Sequence, residues 1–108
     1  MKKFIIIGHF KGIKNITSVA ISARTKGDVR NDCKGNEFIP WLILSEKDIS
    51  KLKSIISNGI YEFEGIYEFV KKRTTNYHRW EDLTEYIEQC LDIMEEKLDK
   101  LEVDLPLI

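Results

Sequence analysis

From Trp80 onward, apolar residues return every three or four positions: Trp80, Leu83, Ile87, Cys90, Leu91, Met94, Leu98 and Leu101. A stripe of that period belongs to an amphipathic helix, here predicted over 80–101, about six turns at 3.6 residues each. Glu81, Asp82, Glu85, Glu88, Asp92, Glu95, Glu96 and Asp99 fill most of its remaining surface. Pro106 bars continuation. A helix this long must bury its apolar side against something, and in a chain of 108 residues the cover has to come from the segments before it.

Those segments read mainly as strands. Residues 3–12 begin with Phe4, Ile5, Ile6 and Ile7, apolar on both faces, as in a strand inside a sheet. After a turn at Lys14-Asn15, residues 16–24 alternate. Val19, Ile21 and Ala23 point one way and Ser18, Ser22 and Arg24 the other, which predicts a strand with one wet face, paired with the first as an antiparallel hairpin. Residues 25–36 collect Gly, Asn and Asp without a hydrophobic period and read as loop. Glu37 to Leu44 is apolar again, and Pro40 consigns this third strand to an edge or a bulge, because it has no N–H to donate.

Ser45 and Asp48 are spaced as a capping box, and Ile49, Leu52, Ile55 and Ile56 follow at helical intervals, so a helix is expected near 46–57. Asn58-Gly59 supplies its stop. Gly59-Ile60-Tyr61-Glu62-Phe63 is then echoed by Gly65-Ile66-Tyr67-Glu68-Phe69. The even offset keeps Tyr61, Phe63, Tyr67 and Phe69 on one side and the glutamates on the other, which predicts one long strand or two short ones. The expected fold is a single α+β domain over residues 1–108: an antiparallel sheet of four or five strands with two helices packed on one face, the second of them the long C-terminal helix. A chain of this size buries roughly 60–65 % of its unfolded surface, enough for one core but not for a deep enclosed active site.

Several functional classes fall away. No apolar run reaches the roughly 18–20 residues of a membrane span. The apolar opening is broken by Gly8 and His9 with no small-residue cleavage site after it, so a cytoplasmic protein without a membrane partner is expected. Cys33 and Cys90 lack CxxC spacing and are expected to stay as thiols without a chemical role, and neither His9 nor His78 has a second ligand at metal spacing. GxSxG, P-loop, GxGxxG and HExxH motifs are missing. Asp28 and Asp32 lack the remaining ligands of a calcium loop, Glu62, Glu64 and Glu68 read as a solubilising face, and His9 reads as a core histidine. No catalytic residue, metal or cofactor is expected.

Charge is the clearest functional signal. Residues 1–80 carry 15 Lys and Arg against 8 Asp and Glu, a net of +7, whereas residues 81–108 carry 2 against 10, a net of −8. An acidic helix face of this density suits a basic protein partner, with Glu85, Glu88, Asp92 and Glu95 as the partner-binding residues. Nucleic acid is disfavoured by a pI near 6.1 and by that same helix. Lys71-Lys72-Arg73 with Arg79, beside Tyr77 and Trp80, is the one tight basic group. An alternative site lies in the segment 24–34. There Arg24, Lys26 and Arg30 beside a Gly turn could hold a small anionic ligand or nucleotide.

The short α+β chain, the Lys-, Ile-, Asn- and Glu-rich composition, the absence of a catalytic motif and the dense acidic surface together resemble bacterial toxin-immunity proteins of the contact-dependent inhibition kind, and small phage inhibitors. The resemblance is one of class and carries over no individual residue. It implies a protein that neutralises a cognate toxin by covering its active site, without chemistry of its own. Many such toxins are nucleases with basic clefts, which an acidic helix would complement. On the alternative site, the matching reading is a phage anti-defence inhibitor that binds a small anion.

Overall fold

The computed structural model describes residues 1–57, 62–74 and 79–101, with residues 62–64 described in backbone alone. Seven elements follow in order: β1 Lys2–Phe10, β2 Thr17–Ala23, α1 Lys26–Gly35, β3 Phe38–Ser45, α2 Glu46–Ser57, α3 Glu62–Arg73 and α4 Trp80–Lys100. The sheet order is β2-β1-β3, and β1 is antiparallel to both neighbours, so β2 and β3 run parallel to each other. The central place of β1 explains its two apolar faces. Ile5 and Ile7 pack with α2, α3 and α4 through Leu52, Ile66, Leu83, Ile87 and Met94. Phe4 and Ile6 pack on the other face against Val29 and Cys33 of α1.

The hairpin closes where the Ile13 N–H donates to the Phe10 carbonyl at 2.9 Å, with Gly12 at φ 83, a few residues before the expected Lys14-Asn15 turn. β3 is an edge strand among the described residues, and its register against β1 shifts between Ile7 and Gly8. Ile7 faces Leu42 and Gly8 faces Pro40, which leaves Trp41 as the extra residue of a bulge. Pro40 thus occupies the edge and the bulge that its missing N–H demands. The capping box also forms as expected: the Asp48 N–H donates to Ser45 Oγ at 3.2 Å and the Ser45 N–H to Asp48 Oδ2 at 2.9 Å.

The α+β class and the long C-terminal helix stand, but five expectations need correction. The described sheet has three strands, not four or five. Residues 26–35 are a helix rather than a loop, started by Thr25, whose hydroxyl accepts from the Asp28 N–H at 3.2 Å. Residues 62–73 are a helix rather than strand, because Ile66, Phe69 and Val70 at three- and four-residue steps provide its buried side. Tyr61, the Asn58-Gly59 stop and the side chain of Phe63 lie outside the described residues. Three helices, not two, cover one sheet face, and α1 covers part of the other, so the molecule has three layers.

Ser18, on the side of β2 expected to be wet, is the fifth correction, while Arg24 on that side is exposed as expected. Ser18 is buried under α4, where Tyr86 donates its hydroxyl proton to Ser18 Oγ at 2.9 Å and the Lys97 ammonium donates to the Ser18 carbonyl at 2.7 Å. A polar residue is tolerated beneath a helix when the helix brings its own polar groups.

Candidate functional site

Two surfaces of opposite sign emerge. The first is the outer side of α4. Leu83, Ile87, Leu91, Met94 and Leu98 are buried against the sheet and the neighbouring helices, which turns Glu81, Glu85, Glu88, Asp92, Glu96 and Asp99 outward along one stripe. Of the four residues predicted to bind a partner, Glu85, Glu88 and Asp92 stand on this stripe. Glu95 does not: it turns toward α2 and forms a 2.9 Å ion pair with Lys53. Its hydrogen bond and charge raise the Lys53 ammonium above the usual lysine range. Along the stripe, Glu96 is held by Lys100 one turn on, which pulls its carboxyl below the usual range. Ile93 is half exposed beside Asp92 and Glu96, an apolar anchor at the edge of an acidic field that sequence periodicity alone did not single out.

The second surface is a cleft of about 550 Å³ at the end of the sheet, where β1 begins and β2 and β3 end. Lys2, Lys3 and Phe4 of β1, Arg24, Thr25 and Lys26 at the β2–α1 junction, and Ser45, Glu46 and Lys47 at the β3–α2 junction line it. The Lys3 ammonium is engaged elsewhere, donating to the Leu98 carbonyl at 3.2 Å. A smaller neighbouring cleft of about 240 Å³ shares Lys26 and adds Arg30 of α1 and Arg73 of α3. Asp48 stands between the two, 4.0 Å from Lys26 and 3.8 Å from Arg73. The alternative triad is therefore brought to connected clefts: Arg24 lines the larger, Arg30 the smaller, and Lys26 both.

Sequence reasoning missed Lys2 and Lys47, although a signal was present. Thr25-Lys26-Gly27-Asp28 and Ser45-Glu46-Lys47-Asp48 share one pattern, a hydroxyl cap and an acid three residues later with a lysine between them. Each lysine lies in the first turn of its helix, beside the positive end of the macrodipole. There a cation is disfavoured by typically 0.3–1 kcal/mol.

Other candidates carry less. Burial, and next the Asp32 charge, push the Cys33 thiol up, so it is not poised as a thiolate nucleophile. His9 sits on the central strand, edge-on to Trp41 at 5.1 Å, and its Nδ1 is buried with no hydrogen-bond partner among the described residues. The basic group at the end of α3 is spent on rings: Arg73 lies 3.8 Å over Phe69, Lys71 5.4 Å over Trp80, and Arg79 4.4 Å over Trp41. Tyr77 is outside the described residues, as are the side chains of Glu62 and Glu64, while Glu68 is exposed. Among the described residues no cluster of three His, Cys, Asp or Glu could hold a metal ion, and no helix is long and apolar enough to cross a membrane. Comparison with protein-family models, curated proteins and solved structures gives no match to the chain.

Proposed function

We propose that this chain is a non-enzymatic inhibitor of the toxin-immunity kind, which covers the basic functional cleft of a cytoplasmic protein partner with the outer side of α4. The observation that carries the reading is the division of α4. Leu83, Ile87, Leu91, Met94 and Leu98 are consumed by the core, yet Glu85, Glu88 and Asp92 remain outward and exposed. Surface ion pairs within a fold return little stability, so stability gives little reason to gather so many acids on one helix. Facing a basic cleft, the same acids speed encounter and reject wrong partners. Ile93 at the edge of the stripe supplies an apolar contact of the kind found in protein interfaces.

The test uses a nuclease toxin domain with a basic cleft that the parent chain binds. Glu85→Lys, Glu88→Lys and Asp92→Lys together spare Glu95, which the fold uses to reach Lys53. The triple variant should keep its circular dichroism spectrum yet associate with the toxin at least about ten-fold more slowly at low salt. The difference should shrink as salt screens the charges. A variant that binds at the parental rate and still protects cells would sink the reading.

A further inference from the structure

We infer that the cleft at the carboxyl ends of β2 and β3 binds the phosphate group of a small anionic ligand of the nucleoside phosphate class, with Lys2, Arg24, Lys26 and Lys47 as its cations. The topology makes the opening. β2 and β3 run in the same direction on either side of β1, and a helix leaves the end of each. α1 goes to one face of the sheet and α2 to the other, as their packing with Phe4 and Ile6 or with Ile5 and Ile7 shows. Chains that part to opposite faces leave a crevice between them, floored here by Lys2, Lys3 and Phe4 at the start of the antiparallel β1. The volume of about 550 Å³ lies in the range that holds a nucleotide-sized molecule.

The lining fits phosphate. Apart from Lys3, whose ammonium is engaged with Leu98, four cations surround the cleft; Glu46 is the one acid among the lining residues, and Asp48 beyond them stands 4.0 Å from Lys26, leaving the net charge around the cleft positive. Arg24 offers a planar fork for two phosphate oxygens, and the lysines act as point charges around the rest. The starts of two helices meet here and add backbone N–H groups of the same polarity. Lys26 and Lys47 are placed against the local preference of those helix starts. Such breaches of local consistency concentrate where function needs them. The smaller cleft, with Arg30 beside Lys26, extends the positive field for a second phosphoryl group, while its Arg73 is held by Asp48 and the Phe69 ring. A polynucleotide fits less well: Trp41 and Phe69, the aromatic rings beside the basic residues, are buried beneath Arg79 and Arg73 and offer no open face for stacking. The cleft is separate from the outer side of α4, so this inference stands or falls independently of the inhibitor reading.

The experiment is calorimetric titration of the full chain with inorganic pyrophosphate, AMP, ATP and a single-stranded RNA 12-mer, at low salt. Saturable binding of a nucleotide is expected, weakened at least ten-fold by Arg24→Ala and by Lys26→Gln. Lys34→Ala, exposed on the last turn of α1, should stay within two-fold, and all three variants should keep the parental circular dichroism spectrum. Nucleotide binding tighter than that of pyrophosphate places the nucleoside in the cleft, whereas equal affinities support the phosphate site and remove the nucleoside from it. No saturable heat with any probe overturns the inference. So does equal weakening by Lys34→Ala, or RNA binding that is tighter than any nucleotide and is lost in the same variants.

Discussion

Gly8 stands opposite Pro40 at the bulge, and a Cβ built on it would collide with the Ile39 carbonyl oxygen. The neighbour is backbone, so relief requires moving β3 off the central strand. Gly8→Ala should therefore cost at the upper end of the roughly 1–3 kcal/mol typical of overpacking. Gly35 ends α1 with nothing within 4 Å of such a Cβ, and Gly35→Ala should be neutral or stabilising by up to about 1 kcal/mol. Urea denaturation of the two variants checks this contrast, and equal midpoints would remove the argument. Ser18 gives the complementary lesson at this scale. Alternation along 16–24 told correctly that Ser18 and Val19 face opposite ways, but a period of two does not reveal what lies above each face. Tyr86 and Lys97, 68 and 79 positions away, bury Ser18 at one end of the polar side, while Arg24 at its other end stays exposed.

At the scale of elements, legibility followed the width of the apolar stripe. α4 buries six residues along 21 and could be read directly from its spacing. α1 buries two, Val29 and Cys33, and carries Gly27 and Gly35, so its period was too weak to rise above the turn signals. Its capping pattern at Thr25 and Asp28 was the available clue. α3 was misread for a different reason: aromatic residues at even spacing imitate a strand, while Ile66, Phe69 and Val70 carry the helical period within the same twelve residues. Packing against α2, where Ile55 lies so close to Gly65 that a Cβ there would meet it at 2.6 Å, favoured the helix over local strand preference. The stripe of α4 makes a direct prediction. Ile87 is fully buried at the centre of the larger core, so Ile87→Asp places an unpaired charge there at a cost of at least about 3 kcal/mol. The variant should lose its cooperative thermal transition, and a melting point within a few degrees of the parent would mean that α4 is not packed as described.

Over the whole chain the charge is divided along the sequence, with +7 before Glu81 and −8 from Glu81 onward. Sequence arithmetic announced that polarity, but it did not divide the positive half into charges used by the fold and charges left at a cleft. Lys97, Lys3 and Lys53 are tied to Ser18, Leu98 and Glu95, whereas Lys2, Arg24 and Lys47 converge where two helices begin, joined by Lys26, which also reaches Asp48 at 4.0 Å. α4 packs on the sheet face away from α1, so its outer stripe and the cleft communicate mainly through the long-range field. The triple Lys variant of Glu85, Glu88 and Asp92 changes the net charge from −1 to +5, because each of the three replacements adds two units. A more positive molecule attracts an anion more strongly, so at about 0.01 M salt, where the Debye length is about 30 Å, the variant should bind ATP several-fold more tightly than the parent. Near 0.15 M salt that length falls to about 8 Å, and the two affinities should agree within about two-fold. A ten-fold difference persisting at 0.15 M salt would mean instead that α4 and the cleft are coupled through the packing of the sheet, a connection that screening cannot remove.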